Sequence, residues 1–128
     1  MNTLPEVCRR FLKQLIVSCQ APEGDVFHGP DAMARFAIAA LQGGAAGIRA
    51  NGVEDVRAIR DAVSLPIIGI QKSPHPDGGW LITGTFECAR DLVEAGADVI
   101  ALDCTRRPNS ENVMPMTRSS TPRSARSF

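Results

Sequence analysis

The sequence lacks several features that would assign it to a specialised class of protein. No apolar run approaches the ~20 residues needed to span a bilayer, and residues 1–20 mix charges into their apolar positions, unlike a signal peptide. Neither histidine has metal-ligand spacing to the other or to a cysteine, and no C-x-x-C pair occurs among Cys8, Cys19, Cys88 and Cys104. We therefore expect a cytoplasmic chain with reduced, buried thiols and neither a metal site nor a membrane partner.

Net charge is also absent. Fourteen basic and fourteen acidic residues cancel, so no overall field attracts nucleic acid or an anionic membrane surface. The balance conceals two unlike parts, because residues 109–128 carry a net charge of +2 and residues 1–108 a net charge of −2. The three arginines of the second part have no interleaved aromatic residues, so we expect no nucleic-acid partner.

What is present is a soluble composition, 44% hydrophobic and 22% charged, in a pattern of alternating elements. Apolar residues at spacings of three and four predict helices over 5–15, 30–42, 53–63 and 85–95. Compact apolar runs predict strands over 15–19, 47–50, 65–72 and 99–103, and the Pro- and Gly-rich segment 73–84 is predicted to be a long loop. This alternation favours an α/β fold with a parallel sheet and right-handed crossovers.

The length suggests only part of a larger architecture. The 128 residues are about half of the ~250 typical of a (β/α)₈ barrel. From Asn109 onward the chain has five serines, two prolines, three arginines and no apolar period. A disordered tail explains this composition, but we favour a frameshifted end, because four β/α strands leave an incomplete barrel with exposed edges. The sequence thus predicts an N-terminal half barrel over 1–108 and an irregular tail over 109–128.

Four polar residues, Gln20, Arg49, Lys72 and Asp103, end the four predicted strands. Ligands of parallel α/β proteins bind beyond the carboxyl ends of the strands, which makes these residues candidates for a site. Lys72 is the most interesting because the chain has only two lysines against twelve arginines. A desolvated lysine can lose its proton and act as a general base, whereas arginine cannot. An ordinary solvated lysine at a strand end explains the same pattern.

The other three residues suit binding. The guanidinium of Arg49 can hold an anionic or carbonyl oxygen through two hydrogen bonds, or can instead form an ion pair with Asp103 or Glu54. Gln20 both donates and accepts, which suits a sugar hydroxyl or an amide, although bonding within its own loop is equally compatible. Asp103 is expected to orient Arg49 or Lys72 rather than to catalyse.

Four segments together resemble one family of enzymes. LIVSCQAPEG, AALQGGAAGIRANGVEDVRAIR, LPIIGIQK and LVEAGADVIALDCTRRP, over about residues 11–108, are similar to the bacterial N-acetylmannosamine-6-phosphate 2-epimerases. The resemblance implies a (β/α)₈ barrel of sialic-acid and amino-sugar catabolism. It implies cofactor-free interconversion of N-acetylmannosamine 6-phosphate and N-acetylglucosamine 6-phosphate. Inversion can remove the C2 proton beside the aldehyde and return one to the opposite face, for which two acid/base groups are the natural solution.

The resemblance also assigns roles to individual residues. Lys72 matches the family's acid/base lysine, and Gln20 and Arg49 match its substrate contacts. The family's glutamate partner and glycine-rich phosphate-binding segments belong to the second half of the barrel, and nothing after Pro108 matches them. We therefore expect a truncated carbohydrate epimerase that acts on a phosphosugar, with homo-oligomer formation left open. Two alternatives remain: another phosphosugar-acting barrel enzyme, and a non-catalytic fragment of a decayed epimerase gene.

Overall fold

Four parallel strands form the central sheet of the protein. The computed structural model describes residues 3–105. Its elements are, in order, α1 (Glu6–Phe11), β1 (Ile16–Cys19), α2 (Pro30–Gln42), β2 (Gly47–Asn51), α3 (Val53–Ala62), β3 (Ile67–Ile70), β4 (Lys72–Pro74), β5 (Trp80–Ile82), α4 (Phe86–Ala95) and β6 (Val99–Ile100). The strands of the main sheet lie in the order β1-β2-β3-β6, and every neighbouring pair is parallel. The predicted α/β fold with a parallel sheet is confirmed.

One face of this sheet is covered by helices. Successive side chains of a strand point to opposite faces, and on β2 the residues Ile48 and Ala50 are fully buried. They join a single core cluster with Val56 and Ile59 of α3 and Leu92 of α4. At ~25 cal/mol per Å² of apolar surface removed from water, this helix–sheet contact is the main stabilising contribution to the fold.

The alternate residues form a row on the other side of the sheet. In the strand register Ser18 lies opposite Arg49, Arg49 opposite Ile68, and Ile68 opposite Val99. All four keep part of their surface accessible, whereas the alternate residues Ile48 and Ala50 of β2 and Ile67 and Gly69 of β3 are buried. We call this side the open face. Within the described range, the ring of Phe11 approaches it at Gly47, where an added Cβ would lie only 2.5 Å from the ring.

The predicted long loop after the third strand is instead a β-hairpin. The predicted strand over 65–72 ends at Ile70, and Lys72 begins an antiparallel pair in which β4 lies against β5. Two hydrogen bonds close its turn. The His75 amide donates to the Gly79 carbonyl at 2.8 Å, and the Gly79 amide donates to the Asp77 carboxylate at 2.9 Å. Pro74 stands at the end of β4, where the absence of an amide proton is tolerated.

Several smaller predictions are also corrected. The first helix ends at Phe11, and the last strand of the sheet ends at Ile100, before the predicted Asp103. On α4, the side chain of Ala89 is buried, whereas the apolar side chains of Phe86 and Val93 are more than half exposed. All four thiols are free, but the prediction that they are buried holds for Cys19 alone, since Cys8 and Cys88 are partly exposed and Cys104 is exposed. No helix among residues 3–105 is long and apolar enough to cross a membrane. The predicted tail over 109–128 lies outside the described residues.

Arg60 ties together the connections at the amino edge of the sheet. Its guanidinium donates to the carbonyls of Val63 at 2.9 Å, Leu65 at 2.6 Å and Gly96 at 3.2 Å, and pairs with the Asp98 carboxylate at 2.9 Å. The same carboxylate oxygen accepts the amide of Ile67 at 2.9 Å. One arginine thus joins the entry into β3 to the entry into β6.

The junction at Gly96 yields a test of this packing. Gly96 has φ +116°, and an added Cβ would lie 2.6 Å from Cγ of Arg60, whereas Gly44 has φ +90° and open space around it. We expect Gly44→Ala to lower the free energy of unfolding by roughly 1–2 kcal/mol, through the left-handed backbone alone. Gly96→Ala should lower the free energy of unfolding by about 1 kcal/mol more than Gly44→Ala does, because displacing Arg60 breaks hydrogen bonds. Urea unfolding measures both, and equal losses would show that Arg60 moves aside without cost.

Candidate active site at the carboxyl edge of the sheet

The predicted site residues lie on the carboxyl side of the parallel strands, but not all at strand ends. Gln20 directly follows β1, as predicted. Arg49 is the third of five residues in β2, which continues to Asn51, and Lys72 opens β4 two residues beyond β3. Asp103 lies three residues beyond β6. The prediction that each residue ends its strand is therefore wrong for Arg49, Lys72 and Asp103.

Gln20 offers a buried hydrogen-bond acceptor. Its Nε2 donates to Oγ of Ser18 at 2.7 Å, so its partner belongs to β1 and not to the following loop. Its Oε1 is buried and has no hydrogen-bond partner in the described part of the chain. A buried acceptor left without a donor costs roughly 1–3 kcal/mol. A bound molecule with an N–H or O–H group would remove that penalty.

Arg49 lies on the open face with its charge uncompensated by the described residues. It sits between Ser18 and Ile68 in the register of the sheet and is half-buried. Neither Arg49 nor Lys72 takes part in an ion pair with any residue of 3–105. The alternative in which Arg49 is held by Asp103 or Glu54 is therefore not realised. The guanidinium remains available to an anionic or carbonyl oxygen.

The backbone of Lys72 is held by a residue that the sequence analysis missed. The amide of Lys72 donates to Oδ1 of Asn51 at 2.8 Å, across 21 positions of sequence. The preceding residue, Gln71, donates its amide to Oγ1 of Thr83 at 3.1 Å and accepts the Thr83 amide at 2.7 Å. The predicted strand over 47–50 stops one residue before Asn51, whereas β2 includes it. The available signal was an amide side chain at the last position of a strand.

Asp103 is joined to the hairpin. Its amide donates to the carbonyl of Ile82 at 2.9 Å, and Ile82 lies opposite Lys72 in the hairpin. Its Oδ1 accepts the Thr105 amide at 2.9 Å. No ion pair joins Asp103 to Arg49 or Lys72, so Asp103 does not orient either side chain through a salt bridge. The backbone brings Asp103 and Lys72 to the same residue of the hairpin.

A cleft of about 300 Å³ opens between the loops that follow β1, β2 and β3. Its polar lining includes His28, Asn51, Asp55 and Gln71. Nδ1 of His28 lies 2.9 Å from the Ala21 carbonyl, and because a carbonyl oxygen only accepts, that nitrogen carries a proton. Burial raises the pKa of Asp55, the positive charge of His28 lowers it, and repulsion from Glu54 adds to the increase.

Metal ligation has no support in this region. Among residues 3–105, no three or more His, Cys, Asp or Glu side chains are grouped so that they could hold a metal ion. The groups at the carboxyl edge are instead an amide, a guanidinium, an ammonium and a carboxylate. Such a set suits hydrogen bonding to a polar or anionic organic molecule and proton transfer.

The fold and these side chains define a parallel β/α protein with a candidate ligand site at the carboxyl ends of its strands. Comparison with known proteins identifies the family. A model of the family described as "Putative N-acetylmannosamine-6-phosphate epimerase" matches residues 33–121, a range that extends past the boundary predicted at Pro108.

Individual relatives agree with the family model. The corresponding 2-epimerase of Listeria monocytogenes serotype 4b (strain F2365) is 45% identical over 101 residues, which are 77% of this chain and 44% of that protein. One from Enterobacter sp. (strain 638) is 50% identical over 95 residues, which are 74% and 40% of the two chains. A solved structure of the N-acetylmannosamine-6-phosphate 2-epimerase from Clostridium perfringens has 44% identity and a TM-score of 0.73, and the match covers 84% of this chain and 48% of that one.

The chain belongs to the N-acetylmannosamine-6-phosphate epimerase family, because the family model matches more than half of its length. The resemblance given by the sequence motifs is thereby confirmed. The chain spans about half the length of the curated relatives that it matches.

Asp55 provides a test of the electrostatics of the cleft. Burial favours its neutral form, so its pKa in the folded protein exceeds that in the unfolded chain. The resulting destabilisation is absent below the unfolded pKa of ~3.9, grows as the pH rises from there toward the folded pKa, and is complete above the folded pKa. We expect Asp55→Asn to raise the free energy of unfolding at pH 7 by less than about 1 kcal/mol, since solvent screens this part-buried group. The gain should disappear toward pH 3.

The matched control is Asp31→Asn. Asp31 is an exposed carboxylate in the first turn of α2, so its removal loses only a favourable interaction with the helix dipole. Urea unfolding of both variants across the pH range measures the difference. A gain for Asp55→Asn that persists at pH 3, or an equal gain for Asp31→Asn, would contradict the assignment to burial.

Proposed function

We propose that this chain supplies the sugar-binding part and one acid/base group of an epimerase. The reaction interconverts N-acetylmannosamine 6-phosphate and N-acetylglucosamine 6-phosphate. The observation that carries the proposal is that Gln20, Arg49 and Lys72 lie on the carboxyl side of the sheet, Arg49 within β2, and keep hydrogen-bonding groups that no residue of 3–105 satisfies. Gln20 has a buried acceptor without a donor, and the two cations have no ion-pair partner in the range 3–105. A phosphosugar carries the hydroxyl, amide, carbonyl and anionic groups that complement this set.

The proposed chemistry follows from the acidity of the C2 hydrogen. In the open-chain sugar this hydrogen is next to the aldehyde, so its removal leaves negative charge on the carbonyl oxygen. Lys72, in its neutral form, takes the proton from one face of C2. Arg49 donates hydrogen bonds to an oxygen that carries negative charge, and such a preorganised donor stabilises the charge as it develops. Gln20 binds the acetamido group or a hydroxyl through Oε1.

Inversion requires a proton donor on the opposite face of C2. We assign that second group, and the site that binds the phosphate, to the part of the relatives that this chain does not span. The four parallel strands then represent half of a (β/α)₈ barrel, with the open face turned toward its interior. The match to 48% of the Clostridium perfringens enzyme supports this proposal. A phosphorylated sugar substrate also favours a cytoplasmic location, since its charge keeps it from crossing a bilayer.

The reaction is tested by hydrogen exchange at C2. The full chain is incubated in D₂O with N-acetylmannosamine 6-phosphate, alone and with a fragment of the Clostridium perfringens enzyme that covers the part of that enzyme not matched here. Proton NMR follows the C2 signal and the appearance of N-acetylglucosamine 6-phosphate. We expect deuterium at C2 in the mixture, and no exchange with the added fragment alone. Deuterium at another carbon would identify a different phosphosugar enzyme, and no exchange in any mixture would contradict the proposal.

The two lysines of the chain give a matched pair of variants. Lys72→Met should reduce exchange at C2 by at least about 10²-fold, because a general base contributes typically 10²–10⁴-fold to the rate. Lys13→Met should leave exchange unchanged, because Lys13 lies between α1 and β1, at the opposite edge of the sheet. Circular dichroism checks that both variants fold. Equal exchange rates in the two variants would remove Lys72 from the mechanism.

A further inference from the structure

Asn51 occupies the point where β2 leaves the sheet. The last main-chain hydrogen bond between β2 and β3 runs from the Gly52 amide to the Ile70 carbonyl at 2.8 Å. In a parallel ladder, the next bond would run from the amide of Lys72 back to the carbonyl of Gly52. That bond would extend the sheet by one step to Lys72.

The Gly52 carbonyl is committed elsewhere. It accepts the amide of Val56 at 3.0 Å, which is the first hydrogen bond of α3. The turn into the helix is sharp because Gly52 adopts φ +93°, a conformation that glycine reaches without a steric penalty. The Gly52 carbonyl therefore serves the helix, and the amide of Lys72 donates to a different acceptor.

The side chain of Asn51 replaces the missing acceptor. Its Oδ1 lies 2.8 Å from the Lys72 amide, at a normal hydrogen-bond distance for a part-buried pair. The chain before Lys72 is fixed to the hairpin by the reciprocal bonds between Gln71 and Thr83. Lys72 itself lies opposite Ile82 in the hairpin. The direction in which the Cα–Cβ bond of Lys72 points is thus determined from both sides.

We propose that Asn51 is a positioning residue for Lys72, acting through this side-chain extension of the β2–β3 ladder. The inference rests on the proposed function for its catalytic consequence, whereas the hydrogen bond itself is independent of it. A displacement of a reacting group by 1 Å can lower a rate by about 10²-fold, so one hydrogen bond to the backbone of a general base is enough to control turnover.

Three variants separate positioning from other roles. Asn51→Ala removes the acceptor, and Asn51→Asp keeps a carboxylate oxygen at the same place with nearly the same shape. Thr85→Ala is the control, because it also removes a side-chain acceptor of a backbone amide. At the start of α4, the Cys88 amide donates to Oγ1 of Thr85 at 3.1 Å. Asn51→Ala and Thr85→Ala should each lower the melting temperature modestly, because each loses one such bond.

The first measurement uses NMR on the full chain and needs no activity. We expect the Lys72 amide to exchange with solvent at least about 10-fold faster in Asn51→Ala, because its partner is removed and the segment opens locally. In Asn51→Asp and in Thr85→Ala the Lys72 amide should stay as protected from exchange as in the native chain. An unchanged exchange rate in Asn51→Ala would overturn the proposal, whatever the outcome of the assay for epimerisation.

The second measurement is the split between kcat and KM in the reconstituted mixture described above. Positioning predicts that Asn51→Ala lowers kcat by roughly 10- to 100-fold with KM changed less than about twofold, and that Asn51→Asp restores most of kcat. A KM that rises equally in both Asn51 variants would mean direct contact with the substrate and overturn the proposal. A kcat loss no larger than that of Thr85→Ala would mean a structural role alone and would also overturn it.

Discussion

The organisation of this protein depends on the two-residue alternation of side chains along parallel strands. One set of alternate residues is buried under α2, α3 and α4, and this burial stabilises the fold. The other set, which includes Ser18, Arg49 and Ile68, is left on the open face. Because the strands are parallel, their carboxyl ends share one edge, and polar residues from separate β/α units lie on that side of the sheet. The stability of the sheet and the composition of the candidate site follow from the same geometry.

The carboxyl edge is also where the regular ladder ends, and side chains take over its hydrogen bonds. Asn51 replaces a main-chain carbonyl, and Thr83 closes the hairpin onto Gln71. The amino edge is maintained differently. There the guanidinium of Arg60 donates hydrogen bonds to the carbonyls that precede β3 and β6. The amino edge therefore holds the helices and strands in register. The carboxyl edge presents side chains with hydrogen-bonding groups that are not satisfied by the described residues.

Much of this arrangement could be predicted from the sequence, because it depends on local signals. Periodicity predicted the parallel strands and helices, and the motifs around Gln20, Arg49 and Lys72 predicted the family, which the comparisons confirm. The hairpin was missed because Pro74 and the glycines of its turn are typical of loops, whereas the pairing of Lys72 with Ile82 depends on contacts across the chain. Asn51 was missed for the same reason, since its partner is 21 positions away. The exposure of Phe86 and Val93 likewise depends on which helix face has neighbours, a property that periodicity alone does not determine.

We propose that the open face and the carboxyl edge of this sheet bind the phosphosugar. The most direct measurement is a titration of the ¹⁵N-labelled chain with N-acetylglucosamine 6-phosphate, followed by the chemical shifts of its backbone amides. We expect saturable changes centred on Gln20, Arg49, Asn51 and Lys72, with little change around Arg60 at the amino edge. Saturable changes confined to the amino edge, or no change at millimolar phosphosugar, would contradict it.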